Sequence, residues 1–291
     1  MVSYIFWDPS PTAFTIPFID RPISWYGIIF ALGFFIGFYL LMFLFKRYAK
    51  TCTEWSEEVL KKKALLFSDR LTVYVIISTV VGARLGHILF YEKWSHYLSH
   101  PLDIIKTWEG GLASHGGVVA ILIGLILFYT RSRKDFPMLS IPRIIDLMVV
   151  PSLLVATFIR IGNFINQEVL GIPSTVPWAI VFAHPIDGSF PTARHPAQLY
   201  EGIFYFFAFI LFWRFFSKLL KPIGRLAGLF FVTIFSFRFL IEFVKEEQSH
   251  LVGEQWLTMG QWLSIPMILF GLILHMIRVQ KEQEESIDLK V

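Results

Sequence analysis

The chain has 291 residues, 55% hydrophobic and 17% aromatic against 16% charged, with a mean hydropathy of +0.60; that balance excludes an ordinary soluble domain. A formal net charge of +4 and a pI near 9.1 call for no nucleic-acid partner, because basic loops facing an anionic leaflet account for both. The single cysteine, Cys52, cannot form an internal disulfide, and the eight histidines show no ligand spacing for a catalytic metal.

In chain order, apolar stretches of about the 20 residues that cross a hydrocarbon core fall near 23–45, 71–91, 112–130, 144–161, 198–213, 226–241 and 256–277. They predict an all-α polytopic membrane protein with seven transmembrane helices in a single domain over 1–291. The first stretch holds no charge and follows neither a basic n-region nor a small-residue cleavage site, so it reads as a retained span rather than a signal peptide. The fourth carries Asp146 and the fifth Glu201. Between the spans lie an inner loop at 46–70 and one long outer loop at 163–197, followed at the end by a charged tail at 278–291. The outer loop is rich in turn-formers, including Gly171, Pro173, Pro177, Pro185, Gly188 and Pro191, and is too long for a plain connector. It leads into R-H-P-A-Q-L-Y-E at 194–201, where Pro196 can open the fifth helix.

Orientation follows from the basic residues. With the N-terminus outside, inner segments hold 18 of the 26 Lys and Arg, outer segments hold Arg21, Lys93, Lys106, Arg194 and Lys245, and Arg84, Arg160 and Arg238 lie within spans. The positive-inside rule therefore predicts a cytoplasmic C-terminus. A guanidinium at a helix centre costs at least ~2.5–3.5 kcal/mol, so each of the three must face protein, water or an anion. A phosphate suits several arginines at once, because the planar fork donates bidentately to its oxygens.

At ~1.5 Å rise per residue the three arginines fall in the outer half of the membrane, and Tyr26 and His115 lie close to the same side. That convergence predicts an outer-leaflet site for an anionic amphiphile. In R-I-G-N-F-I-N at 160–166, Arg160, Asn163 and Asn166 recur at i,i+3 on one stripe, which reads either as a phosphate and hydroxyl cradle or as polar glue between helices. Arg238 and Glu242 are i,i+4 and read either as a self-neutralised pair or as an oriented guanidinium with N–H groups to spare. His115 sits in G-G-L-A-S-H-G-G at 110–117. Its imidazole, near pKa ~6.5, suits proton transfer, whereas a lone histidine flanked by glycines also suits plain helix contact.

W-Y-G at 25–27, G-A-R-L-G at 82–86, G-G-L-A-S-H-G-G at 110–117, R-I-G-N-F-I-N-Q-E at 160–168, R-H-P-A-Q-L-Y-E at 194–201, F-R-F-L-I-E-F at 237–243 and M-G-Q-W-L-S-I-P at 259–266 together resemble the prolipoprotein diacylglyceryl transferase family, in order and over the whole chain. The resemblance implies an enzyme of the bacterial cytoplasmic membrane, with its site towards the outer leaflet. It would move the diacylglyceryl group of phosphatidylglycerol onto the lipobox cysteine of a prolipoprotein signal peptide, forming a thioether and releasing glycerol 1-phosphate without cofactor or metal. It implies roles for Tyr26, His115, Gly116, Arg160, Asn163, Glu168, Gly171 and Arg238, with Glu242 in support; Arg84 joins them as an intramembrane arginine. Two positions depart from the family's pattern: Lys245 stands where many members have arginine, and Ile234 where a tyrosine is frequent.

A transporter or lipid flippase would distribute polar groups through the full membrane depth, whereas here they crowd one side. The CDP-alcohol phosphotransferase pattern D-G-x-x-A-R is absent. In intact cells an impermeant maleimide is expected to leave Cys52 unlabelled and to label a cysteine placed at Ser189; the reverse pattern would overturn the predicted orientation.

Overall fold

The computed structural model describes residues 4–18, 20–92, 94–106, 111, 113–246 and 256–288; Gly110 and the side chain of His115 lie outside the described residues. Among the described residues six helices are long and apolar enough to cross a membrane: Trp25–Ala49, Glu57–Phe90, Ile141–Ile165, Ala197–Leu219, Arg225–Val244 and Met259–Ile277. Gly116–Ser132 is a shorter apolar helix. The chain forms two compact units, one of residues 38–144 and one of residues 1–37 with 145–291.

The unit of residues 38–144 contains the second half of α1 (Trp25–Ala49), α2 (Glu57–Tyr91), α3 (Trp94–Ser99), a 3-10 turn (Pro101–Ile105) and α4 (Ser114–Ser132). The sequence predicted a loop at 46–70; instead α1 runs on to Ala49 and α2 begins at Glu57, leaving only 50–56 as connector. The reason is local. Ser56 caps α2 by accepting a hydrogen bond from the Val59 N–H at 3.4 Å, and Glu57 and Glu58 complement the helix dipole. Charged residues thereby extend a helix well beyond hydrocarbon length.

Four fully buried phenylalanines fill this end of the unit: Phe45 stacks on Phe67 at 4.2 Å, with Phe136 and Phe128 edge-on to it. Asp135 is clamped by Arg70 at 2.6 Å and Lys63 at 3.4 Å, and these partners, Arg70 first, hold its carboxyl below the usual range. Helices α2 and α4 cross where glycines face one another. A Cβ on Gly86 would stand 2.7 Å from the Gly116 Cα, and one on Gly116 would meet the Gly82 carbonyl. Small residues let the two backbones touch, as membrane helix contacts require.

The other unit contains the start of α1, α5 (Ile141–Ile165) from residue 145, α6 (Ala197–Leu219), α7 (Arg225–Ile241) and α8 (Met259–Asp288), with short strands β1 (Ile5–Trp7), β2 (Thr12–Ile16), β3 (Arg21–Ser24), β4 (Ile180–Phe182) and β5 (Ala193–Arg194). As predicted, α6 opens directly after Pro196. The tail predicted from 278 is helical in backbone as far as Asp288, consistent with its Gln, Lys and Glu content. The segment predicted as an outer loop, 163–197, is not wholly irregular. It contributes β4 and β5 to a sheet of order β1-β4-β5, parallel between β1 and β4, while β2 and β3 form a separate hairpin.

That sheet is fixed to the end of α5. Phe164, Leu170, Ile180 and Phe182 form a buried cluster with Trp7 and Leu199 against it, and the Trp7 indole donates to the Phe164 carbonyl at 3.0 Å. Asp146, fully buried, explains why a carboxylate is tolerated in the fourth apolar stretch. Its two oxygens accept from the Gly224 and Ala227 N–H groups, both at 2.8 Å, so it caps α7 from α5.

Asp146→Ala is expected to lower the thermal unfolding midpoint in detergent, because two buried N–H groups lose their acceptor at roughly 1–3 kcal/mol each. Asp146→Asn, which keeps one acceptor, should lose less; an unchanged midpoint in both would remove Asp146 from its capping role.

Candidate active site

The centre of the larger unit is a buried ion pair. Arg160 reaches Glu201, which has no solvent exposure, with Nε 3.0 Å from Oε2. The contact lies off the N–H direction and is an ion pair rather than a hydrogen bond, since that oxygen has no hydrogen-bond donor among the described residues. Tyr205, one helical turn beyond Glu201, sets its hydroxyl 3.4 Å from Glu201 Oε1 and its ring face 6.0 Å from the guanidinium. The Arg160 Nη1 donates to Asn163 Oδ1 at 2.9 Å, and Asn163 Nδ2 donates to Glu168 Oε1 at 2.9 Å.

The first step of the predicted stripe is therefore formed, and the second is replaced. Instead of Asn166, Glu168 closes the chain, because the backbone doubles back beyond α5: Gln167 and Val169 adopt φ of 54° and 61°. A β-branched residue rarely occupies that region, and surrounding structure must hold it there. Gln167 Oε1 accepts from the His184 N–H at 2.6 Å and the Glu168 N–H returns to the Asn163 carbonyl at 3.0 Å, while Gln198 Nε2 donates to the Glu168 carbonyl at 2.7 Å. Gly171 completes the turn. A Cβ there would stand 2.6 Å from the His195 Cβ and 2.8 Å from the Val244 carbonyl, so only glycine fits between those two segments.

Tyr26 lies on Gly162, where a Cβ would stand 2.6 Å from its ring, and its hydroxyl is within electrostatic reach of Glu168, Arg160 and Asn163. Arg238 and Glu242 do not form the predicted i,i+4 pair. Glu242 turns instead to the Lys245 ammonium at 3.4 Å and accepts from the Thr258 hydroxyl at 3.1 Å. Lys245 is itself buried; burial pushes its ammonium down, Glu201 and Glu242 hold it up, and Arg160 and Arg238 push it further down.

Ion pairing then leaves one cation and one carboxylate unmatched among the described residues. Arg160 is matched by Glu201 and Lys245 by Glu242, whereas the half-buried Arg238 guanidinium has no hydrogen bond or ion pair among the described residues. It acts, as Arg160 does, on the Tyr205 hydroxyl and the Lys245 ammonium. Glu168, which accepts from Asn163, has no ion-pair partner among the described residues, so the cations and carboxylates balance in number, and Arg238 is the guanidinium whose planar fork is left unfilled.

The remaining predicted residues belong to the other unit. Arg84 does not present free N–H groups to a ligand: Nε donates to the Ile104 carbonyl at 3.0 Å, Nη2 to the Asp103 carbonyl at 2.5 Å and Nη1 to the Gly111 carbonyl at 3.3 Å. It ties the segment before α4 to α2, assisted by the Ala113 N–H bonding the Ala83 carbonyl. Gly116 stands at the α2–α4 crossing, and His115 is helical in backbone within the first turn of α4. Sequence reasoning let Gln198, Tyr200 and Glu201 face the site without giving Glu201 a partner, put Lys245 on its entrance side, and left Tyr205 out. The signal for Glu201 was present, since a carboxylate in an apolar span needs a cation as surely as the converse.

These features define a polytopic membrane protein with a buried polar network in which Arg238 has no ion-pair partner among the described residues. The prolipoprotein diacylglyceryl transferase family matches residues 11–277. A protein of Chloroherpeton thalassium named phosphatidylglycerol–prolipoprotein diacylglyceryl transferase is 42% identical over 98% of each chain. Proteins of the same name from Tolumonas auensis and Protochlamydia amoebophila are 37% and 35% identical, covering 96% and 94% of this chain and 99% and 94% of their own. The chain belongs to the prolipoprotein diacylglyceryl transferase family.

Removing one partner of a buried ion pair costs roughly 3–5 kcal/mol. Glu201→Leu is expected to lose that much stability by denaturant titration, and Arg160→Met with Glu201→Leu to lose clearly less than the sum of the single variants. Strict additivity would show that the two charges do not support each other.

Proposed function

We propose that the chain is a phosphatidylglycerol–prolipoprotein diacylglyceryl transferase that catalyses the first step of lipoprotein maturation. It moves diacylglyceryl from phosphatidylglycerol to the lipobox cysteine thiol of a prolipoprotein signal peptide. The protein works as one catalytic domain in the bacterial cytoplasmic membrane, with seven spans, the N-terminus outside and the site towards the outer leaflet. Family membership supports the reaction, and the observation that carries the chemistry is the unmatched Arg238 beside the Arg160 network.

In this reaction the sulfur attacks the glyceryl carbon, a C–S bond forms, the C–O bond to phosphate breaks, and glycerol 1-phosphate leaves with the bonding pair. Negative charge grows on the leaving phosphate. Arg238 receives it through free N–H groups, while Arg160, fixed by Glu201 and Asn163, supplies a second positive edge that needs no reorganisation. Asn163 and Glu168 offer the amide and carboxylate that bind the headgroup glycerol. Glu242 keeps Lys245 in place, and Gly171 keeps the Glu168 turn closed. A thiol of pKa ~8.5 is only a few per cent ionised at pH 7, so it needs a base. By family resemblance His115 accepts that proton, with Tyr26, set on Gly162, as the alternative relay, and Gly116 provides the close approach at the His115 turn. Arg84 serves the headgroup indirectly, by holding the segment before α4.

The test is to incubate the purified protein with phosphatidylglycerol and a lipobox peptide and to follow the mass gain on the peptide cysteine. Arg238→Lys, which keeps the charge but not the fork, should lose ~10²-fold or more. His115→Gln should lose ~10²–10⁴-fold at pH 7, a deficit that shrinks towards pH 9 as the thiol ionises unaided. No mass gain with the wild-type protein sinks the proposal; full rate in Arg238→Lys returns that residue to a packing role.

A further inference from the structure

A second lipid-shaped feature lies wholly within the unit of residues 38–144. Phe38, Met42 and Lys46 recur at i,i+4 on one stripe of α1, and Tyr39 and Phe43 recur beside them; Lys61, Ala64 and Leu65 face them from the first turns of α2. Together they line a groove of about 480 Å³. Its walls are almost entirely apolar, and Tyr39, Phe43 and Leu65 remain about half exposed. The two helices run through the connector at 50–56, so both stripes end in a lysine at the same mouth.

The two lysines are differently engaged. Lys46 pairs with Glu57 at 2.7 Å, but Glu57 is 59% exposed and is shared with Lys50, and such a surface contact is worth little. Lys61 has no hydrogen bond or ion pair among the described residues. Its neighbours on α2 do: Lys62 is held by Glu58 and Lys63 by Asp135. An apolar cleft with one free and one weakly held ammonium at its mouth complements a ligand with a hydrocarbon chain and an anionic head. A neutral lipid would leave Lys61 unused, and a free anion would leave the cleft unused.

We infer that this groove is a binding site for an acidic diacyl phospholipid, its acyl chain along Phe38, Met42, Phe43 and Leu65 and its phosphate on Lys61 and Lys46. The site is separate from the proposed transferase chemistry, and neither lysine belongs to that machinery.

The probe is phosphatidic acid carrying a diazirine on its acyl chain, doped into phosphatidylcholine nanodiscs containing the full-length protein. Adducts are mapped by peptide mass spectrometry, against phosphatidylcholine with the same diazirine. Phosphatidic acid should label the 38–46 and 61–65 segments ~5-fold or more above phosphatidylcholine, the scale expected for charge at a membrane surface. Lys61→Glu should erase the preference, Leu65→Trp should fill the cleft and reduce labelling by both lipids, and diacylglyceryl transfer should be unchanged in both. If Lys61→Glu fails to fold, Lys61→Gln at this exposed position serves in its place. Equal labelling by the two lipids, a preference that survives loss of the Lys61 charge, or full competition by excess inorganic phosphate would overturn the assignment.

Discussion

An arginine in an apolar interior must be neutralised, and the larger unit is organised around doing so for Arg160. Glu201 supplies the opposite charge from α6, Tyr205 offers its ring, and Asn163 takes one N–H and passes the polarity on to Glu168. Each partner comes from a different turn or helix, so the pair cannot be satisfied by one element alone. A buried ion pair is weak evidence for net stability, because desolvation offsets much of the attraction. Its stronger consequence is geometric: α5, α6 and the chain reversal after α5 have few ways to satisfy the guanidinium other than the one observed.

The reversal shows how that demand propagates. Placing Glu168 against Asn163 requires left-handed backbone at Gln167 and at the β-branched Val169, at a cost of order 1–3 kcal/mol each. The offset comes from the surroundings. The Phe164, Leu170, Ile180 and Phe182 cluster packs the β1-β4-β5 sheet onto the end of α5, and Gly171 admits two backbone segments at van der Waals distance. What composition presents as a long polar loop is thus a scaffold for one carboxylate. Its strands are too short to stand alone, and they form here because they are anchored to a helix end.

Hydropathy and intramembrane charge made much of this legible before any coordinates. Six of the seven apolar stretches correspond to helices of membrane-crossing length among the described residues, and 112–130 overlaps the shorter apolar one. The Arg160–Asn163 contact follows from i,i+3 spacing alone. What sequence could not supply was partner choice across elements. Spacing allowed Arg238 to pair with Glu242, but Lys245, three residues further on, and Thr258, brought in from just before α8, took that carboxylate instead. Likewise, Arg84 looked like a ligand cation because an intramembrane guanidinium must go somewhere. Three backbone carbonyls accept from it instead. The loop predicted at 46–70 failed for a different reason: charge marks where a helix leaves hydrocarbon, not where it ends.

The division of work between Lys245 and Arg238 follows from their chemistry. An ammonium is a compact point charge that can be satisfied by one carboxylate from any direction, whereas a guanidinium presents a planar fork that one oxygen does not fill. With Lys245 matched to Glu242, the carboxylate that could have occupied the Arg238 fork is removed from competition. The Lys245–Glu242 pair therefore leaves the Arg238 fork unfilled. On this reading Lys245 acts through Glu242 rather than by touching the lipid. In the proposed reaction, the guanidinium left for the leaving phosphate is Arg238, with the already oriented Arg160 as the second.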